Sequence, residues 1–513
     1  MELGIHLPRQ WQDAFVRDYK YPKPLVADPL PERRLTRLLA AFVASGLFFM
    51  VLPGVVLAVG NLIGVSALQG TESIPAAWIQ ANGHARLFGW VGSFLIGICL
   101  YAVPKCLGGL PGSRRVGWTM WALWSGAVLG HWAVGMRPWH WKAVLVASSL
   151  VELLVAILLV WQICGPGRVR FRKQLWSRLV LTGLTGFVAV LAVQLAMAWH
   201  LRDAPVFPPA QDRLLLWLTL WSFAFPAAWG FSARYLPSFL GSEPPEEEAA
   251  YAALAILGIA NIAAVAELNR VAVAMILIVV LLGCWSLRIF HTANGRPELA
   301  GAKPSYAWLV RVAFLWLVES ALLPILGDSA GWLGASRHAF AVGFLGTLIF
   351  AMGPIVLPSY LSRRELWSER LALAAPAMLN AGCILRVISE PVAYGKTFPL
   401  AWHLLPVAAA LEVAGVLAFA YNIGRTLATP VLTWIDDSAI DENLKLYWCV
   451  ASYPETRRLL RQAGIETLGR VESIPWSLTL REAAEADGAD WRRLAGLLKK
   501  HFDTRIARAL KAS

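Results

Sequence analysis

The chain has 513 residues, 57% of them hydrophobic and only 15% charged, with 25 Trp and a mean hydropathy of +0.55. Soluble proteins are about half apolar and about a quarter charged, so this composition excludes an ordinary water-soluble fold. The formal charge of +13 does not call for a nucleic-acid partner, because the basic residues stand mostly between apolar runs and in two polar tails, where membrane topology accounts for them.

In chain order, a polar segment over 1–37 comes first, with no cleavable secretory signal visible ahead of the first apolar run. Apolar runs then fall near 38–60, 84–107, 115–135, 142–164, 177–200, 214–240, 249–267, 270–290, 306–326, 337–360, 370–389 and 402–424. Each can cross a hydrocarbon core roughly 30 Å thick at about 1.5 Å per residue. They predict an all-α polytopic membrane protein of twelve spans, with its membrane domain over 38–425 and the lipid bilayer as its first partner. The connections after spans 2, 4, 8 and 10 are rich in Lys and Arg, as in Arg168, Arg170, Arg172 and Lys173, while the alternate connections are sparse. The positive-inside rule then places both termini in the cytoplasm, and the protein in the inner membrane if its source is a bacterium. From 430 to 513 the composition turns polar, with charged residues at helical spacing. A proline opens the helix Pro454–Gly464 and glycines close it and the helix Thr479–Gly488, which predicts a small cytoplasmic helical domain.

The spans repeat. Span 2 reads His84-Ala-Arg-Leu-Phe-Gly89-Trp-Val-Gly92-Ser and reaches Pro104; span 10 reads His338-Ala-Phe-Ala-Val-Gly343-Phe-Leu-Gly346-Thr and reaches Pro358, at a constant offset of 254 residues. Span 6 shares the end of the pattern, with Trp217 in the histidine position. Spans 4 and 12 echo each other through Trp139-His140, Glu152 and Trp161-Gln-Ile163 against Trp402-His403, Glu412 and Tyr421-Asn-Ile423. The simplest architecture is three four-helix units around a pseudo-threefold axis.

Six histidines, His84, His131, His140, His200, His338 and His403, lie at or near the outer ends of spans. Imidazoles gathered at one membrane level are candidate ligands for iron or copper. Gly89 and Gly92, like Gly343 and Gly346, follow their histidine by five and eight residues and form a flat strip on one helical face. A planar macrocycle can rest on such strips, with iron held between His84 and His338; close helix packing is the plainer use of the same glycines. Arg386 and Arg137 are candidate clamps for heme carboxylates, and a local ion pair of Arg386 with Glu390 competes with that role. Glu152, Glu319 and Glu412 lie within apolar spans, where an ionisable group calls for a partner or a proton path. Gln194, Asn261 and Asn380 read as helix-to-helix hydrogen bonds. The six cysteines have no C-x-x-C spacing, so no disulfide framework is implied.

Twelve spans with histidines on spans 2 and 10 resemble the catalytic subunit of heme-copper oxidases and nitric oxide reductases. That resemblance implies axial ligation of a low-spin heme by His84 and His338. It departs from the family at Phe223-Ala-Phe-Pro226, which lacks the copper-site histidine, in span 7, which has no histidine, and in span 10, which has one rather than two. The segments His84–Gly92 and Arg337–Thr347 are more similar to the NnrS family of heme- and copper-containing membrane proteins associated with nitric oxide and denitrification. This similarity implies heme and copper as cofactors, nitric oxide as ligand, an external electron donor for any heme-dependent oxidoreductase activity, and a role in nitrosative stress. The tail, through Tyr453–Ile465 and Thr479–Ala484, resembles small helical domains fused to hybrid-cluster and nitrosative-stress proteins, which implies a cytoplasmic partner. It has no cysteine between Glu466 and Ser477 for thiol chemistry. A secondary transporter with a polar path between pseudo-repeats is the alternative from another class.

Overall fold

The computed structural model describes residues 29–70, 74–106, 112–164, 174–240, 242–291, 304–360, 366–396, 398–428, 440–444, 446, 456–465 and 479–511. Two compact units divide the chain, Leu35–Pro430 on the one hand and both chain ends, Met1–Arg34 with Val431–Ser513, on the other. The N-terminal residues 1–28 and the expected domain boundary at 430 lie outside the described residues.

Helices fill the larger unit: α1 (Leu35–Leu68), α2 (Ala76–Pro104), α3 (Arg114–Met136), α4 (Trp141–Cys164), α5 (Leu175–His200), α6 (Pro209–Pro237), α7 (Glu247–Val265), α8 (Asn269–Ser286), α9 (Ser305–Leu326), α10 (Ala330–Pro358), α11 (Glu369–Tyr394) and α12 (Leu400–Ala428). Among the described residues, eleven helices are long and apolar enough to cross a membrane. The twelfth expected span, α3, is helical over 23 residues, and its apolar character is diluted by Trp118, Trp121, Trp124, Trp132, four glycines and His131. Isoleucines and leucines such as Ile157, Ile262, Leu281 and Ile388 lie exposed along the helices, as lipid contact requires, and Trp139, Trp199, Trp285 and Trp367 are exposed at or just beyond helix ends. That placement explains part of the tryptophan excess, since indoles favour the membrane–water boundary.

The repeat seen in sequence is a repeat of packing. The buried stripe of α4 includes Ser149, Glu152, Val155, Ala156, Leu159 and Gln162, and α12 buries Ala409, Glu412, Gly415, Val416, Phe419 and Asn422, each 260 residues on. Helices α3 and α11 match at an offset of 255: Gly117, Met120, Trp124, Ala127 and Val128 against Ala372, Ala375, Leu379, Gly382 and Cys383, all buried. The same devices recur at matched places. Gln162 donates to the carbonyl of Ser113 and accepts from its N–H, both at 3.1 Å, and so holds the first residue before α3. Asn422 does the same to Ser368 before α11, at 2.8 and 2.9 Å. In the middle repeat the carbonyl of Ser286 takes the N–H of Glu246 at 2.8 Å, ahead of α7. Replacing Gln162 by leucine should lower stability by about 1–3 kcal/mol, because two backbone groups of Ser113 lose their partner. Thermal unfolding in detergent measures it, and an unchanged midpoint would show that the clamp carries no weight.

In the tail, α13 (Thr456–Gln462), α14 (Leu480–Ala486) and α15 (Trp491–Lys511) pack through Leu459, Leu460, Leu480, Ala483, Leu494 and Leu498. Gly464 and Gly488 end the first two in left-handed backbone at φ of 90° and 65°, as their position in sequence predicts. Thr479 and Glu482 form a reciprocal capping box at the start of α14. Pro454 and the Glu466–Ser477 stretch lie outside the described residues.

Candidate metal centre

Local backbone places the histidines. In α2, α6 and α10 a π-helical stretch interrupts the α-helix at Ala85–Gly92, Thr219–Ala224 and Ala339–Gly346. Two of these stretches begin on the residue after His84 and His338, and the third begins two residues after Trp217. Such wide turns are rare in helices and concentrate at functional sites.

His84 is buried, and its Nε2 donates to Oε2 of Glu152 at 3.2 Å. That carboxylate is fully buried at the centre of the inward stripe of α4 and also accepts from Nε2 of Gln194 on α5 at 2.7 Å. The ring of His131 on α3 stacks on that of His84, with centroids 3.6 Å apart and planes 14° from parallel. His84, His131 and Glu152 thereby bring one ligand atom each to within 4.8 Å of one another. His131 stands five residues from the end of α3 and Glu152 eleven from the start of α4, about 8 and 16 Å into the bundle at 1.5 Å per residue. The hydrogen bond to Glu152 holds the proton of His84 on Nε2 and leaves Nδ1 as a lone pair. Nδ1 of His84, Nδ1 of His131, Oε1 of Glu152 and Oε1 of Gln194 are all buried with no hydrogen-bond partner among the described residues. No Lys or Arg pairs with Glu152 among the described residues. A buried carboxylate that accepts two hydrogen bonds but has no counter-charge among the described residues is costly as it stands, and a bound cation would answer that charge.

His338 sits in a different setting. Its Nε2 donates to Oε1 of Glu412 at 2.6 Å, while Nε of Arg386 donates to Oε2 of Glu390 at 3.1 Å, the local pair weighed in the sequence. Arg386 and Arg86 both act on Glu412 through their charge. No buried side-chain nitrogen or oxygen of His338, Arg386, Glu390 or Glu412 lacks a partner. The Arg386–Glu390 ion pair thus lies beside the His338–Glu412 hydrogen bond, and Arg86 adds a second positive charge near Glu412.

A porphyrin between His84 and His338 does not fit this packing. Each Nε2 is engaged by a carboxylate of its own repeat. The glycine strips are occupied as well: a Cβ at Gly89 would lie 2.7 Å from the Phe49 ring, one at Gly92 2.8 Å from Trp124, and one at Gly346 3.2 Å from Leu379. Gly343 likewise seats Trp316. The strips are seats for neighbouring side chains, which is their plainer use.

The other expected site residues are dispersed. His140, His200 and His403 are exposed, and His140 occupies a turn at φ of 45° beside Trp139. Arg137 is exposed at the end of α3, and Glu319 is half-buried with no hydrogen bond or ion pair among the described residues. Asn261 accepts from Trp217 at 3.2 Å, and Asn380 ties Trp316 to Thr347, so both bond between helices. Sequence reasoning gives Arg86 no role; its charge inside an apolar span, two residues after His84, is the signal that marks it. The pairing of His84 with His131 has no sequence signal, because 47 residues and a helix reversal separate them.

The chain belongs to the NnrS family: the family model described as NnrS protein matches residues 38–430. No curated protein matches it in sequence. Among solved structures, a heme-copper terminal oxidase, determined as a dimer by cryo-EM, is similar at a TM-score of 0.60 and 13% identity, covering 78% of this chain and 85% of that one. At this identity the likeness establishes a shared fold.

Proposed function

We propose that this NnrS-family chain is a metal-binding membrane protein that takes part in the response to nitric oxide, with the metal held by His84, His131 and Glu152. The observation that carries this reading is that three buried side chains, His84, His131 and Glu152, each bring a ligand atom to within 4.8 Å of one another, with no Lys or Arg paired to the carboxylate among the described residues. Imidazole nitrogen suits copper, as it suits zinc, iron and nickel, and copper is the one of these that the family resemblance implies apart from heme iron. Bound copper would supply one-electron chemistry and a coordination position for a small ligand.

The chain's own residues prepare the site. Glu152 orients the His84 ring through Oε2, and the Gln194 amide steadies that same oxygen, leaving Oε1 free to bind. Phe88 lies 4.8 Å from the His84 ring and joins Phe187 and Phe223 in a stacked apolar wall. Such a wall admits an uncharged diatomic gas and disfavours ions, which lose hydration on entry. A redox role requires an electron donor from outside the chain, and the distribution of Lys and Arg favours cytoplasmic termini. The transporter alternative has no comparable support, since Gln194, Asn261 and Asn380 serve contacts between side chains rather than lining a path.

Metal analysis and an optical spectrum of the full-length protein in detergent test the proposal. One metal ion per chain is expected, absent in His84→Ala. A Soret band that disappears in His338→Ala would overturn the assignment in favour of a heme between His84 and His338.

A further inference from the structure

The three repeats carry one design with three different fillings. At the matched positions of the first repeat stand His84, His131 and Glu152. Offsets of 254, 255 and 260 residues, set by the glycine strips, the buried stripe of α3 and α11, and the amide clamps, place His338, Arg386 and Glu412 at the same positions of the third. In the second repeat, Trp217 packs against the apolar cluster of Ala263, Ala264 and Ala272, Ala264 stands at the place of His131, and the buried Ile276 takes the carboxylate's place on α8. The equivalences agree with side-chain contacts they were not built on. Trp124 fills the space above Gly92, and Leu379, its counterpart, fills that above Gly346.

Arg386 therefore replaces His131. A neutral imidazole adds a lone pair but no charge, so the first repeat keeps an uncompensated carboxylate. A guanidinium adds a permanent positive charge and no acceptor. In the third repeat that charge acts on Glu412, and Glu390, seated against Gly334, accepts from Nε of the same guanidinium. We infer that Arg386 does in the third repeat the work a metal ion does in the first, so that the chain holds a single histidine-bound ion and its His338–Glu412 pair is a metal site closed by arginine. This inference rests on the metal reading of the first repeat.

The test counts copper bound per chain after loading the detergent-purified full-length protein with Cu²⁺ and desalting. Wild type should hold one equivalent. Arg386→His, combined with Glu390→Gln so that no carboxylate is stranded and with Arg86→Leu so that no second guanidinium answers Glu412, should hold two, and the second should vanish on adding His338→Ala. His131→Arg should hold none and remain folded, because a guanidinium then neutralises Glu152. One equivalent in the Arg386→His protein, or one retained in His131→Arg, would overturn the inference and leave the first site standing. Should the Arg386 variant fail to fold, His131→Ala decides, since any residual copper lost with His338 would refute a closed third repeat. No copper in wild type would instead overturn the proposed function.

Discussion

Glu152→Gln should abolish metal binding under conditions that load the wild-type chain, with affinity falling by roughly 100-fold or more. The substitution keeps the shape of the side chain and removes its charge. Glutamine can still accept from Nε2 of His84 or from Gln194 through its oxygen, but its NH₂ replaces the free Oε1 lone pairs with donors aimed at the site. Both the electrostatic and the ligating reasons for the ion are lost together, while packing of the fully buried stripe of α4 is preserved. Thermal stability of the metal-free protein should stay level or rise, because the variant no longer buries a carboxylate without a cation. Isothermal titration with Cu²⁺ alongside thermal unfolding separates the two effects. Wild-type affinity in Glu152→Gln would remove this residue from the ligand set.

The second large effect lies at the crossing of α11 and α12. A methyl group at Gly382 would come within 2.7 Å of the Ala408 carbonyl oxygen and of Glu412 Cγ, and 3.0 Å from the Glu412 nitrogen. Gly415 presents the reciprocal approach, 2.7 Å from the carbonyl oxygen of Ala375. Backbone atoms cannot turn aside as a side chain can, so the two helices must separate. Gly382→Ala should cost about 3 kcal/mol and draw Glu412 away from His338. The same change at Gly126, where no described residue lies within 4 Å, should be neutral or raise stability by about 0.5–1 kcal/mol through helix propensity. Equal thermal midpoints for the two variants would show that the close approach carries no weight.

The resemblance between the third and first repeats was legible in residues, since His-Ala, the glycine pairs, Glu152 with Glu412 and Gln162 with Asn422 sit at fixed offsets. The correspondence of His131 with Arg386 was not, because the two side chains share no chemistry. Only the inward stripes of α3 and α11, and the clamps on Ser113 and Ser368, place them in register.

Composition and hydropathy by themselves determined that the chain lives in a membrane, that its helices recur, and which imidazoles and carboxylates stand inside it. These follow from local rules: a span must be long and apolar, and a buried ionisable group must be answered. What only the tertiary structure decided is which group answers which. His84 turns to His131 and Glu152 rather than to His338, and the glycines beside both histidines receive Phe49, Trp124, Trp316 and Leu379 rather than a flat cofactor. Partner choice depends on how helices distant in sequence pack against one another, and no spacing along the chain records that packing.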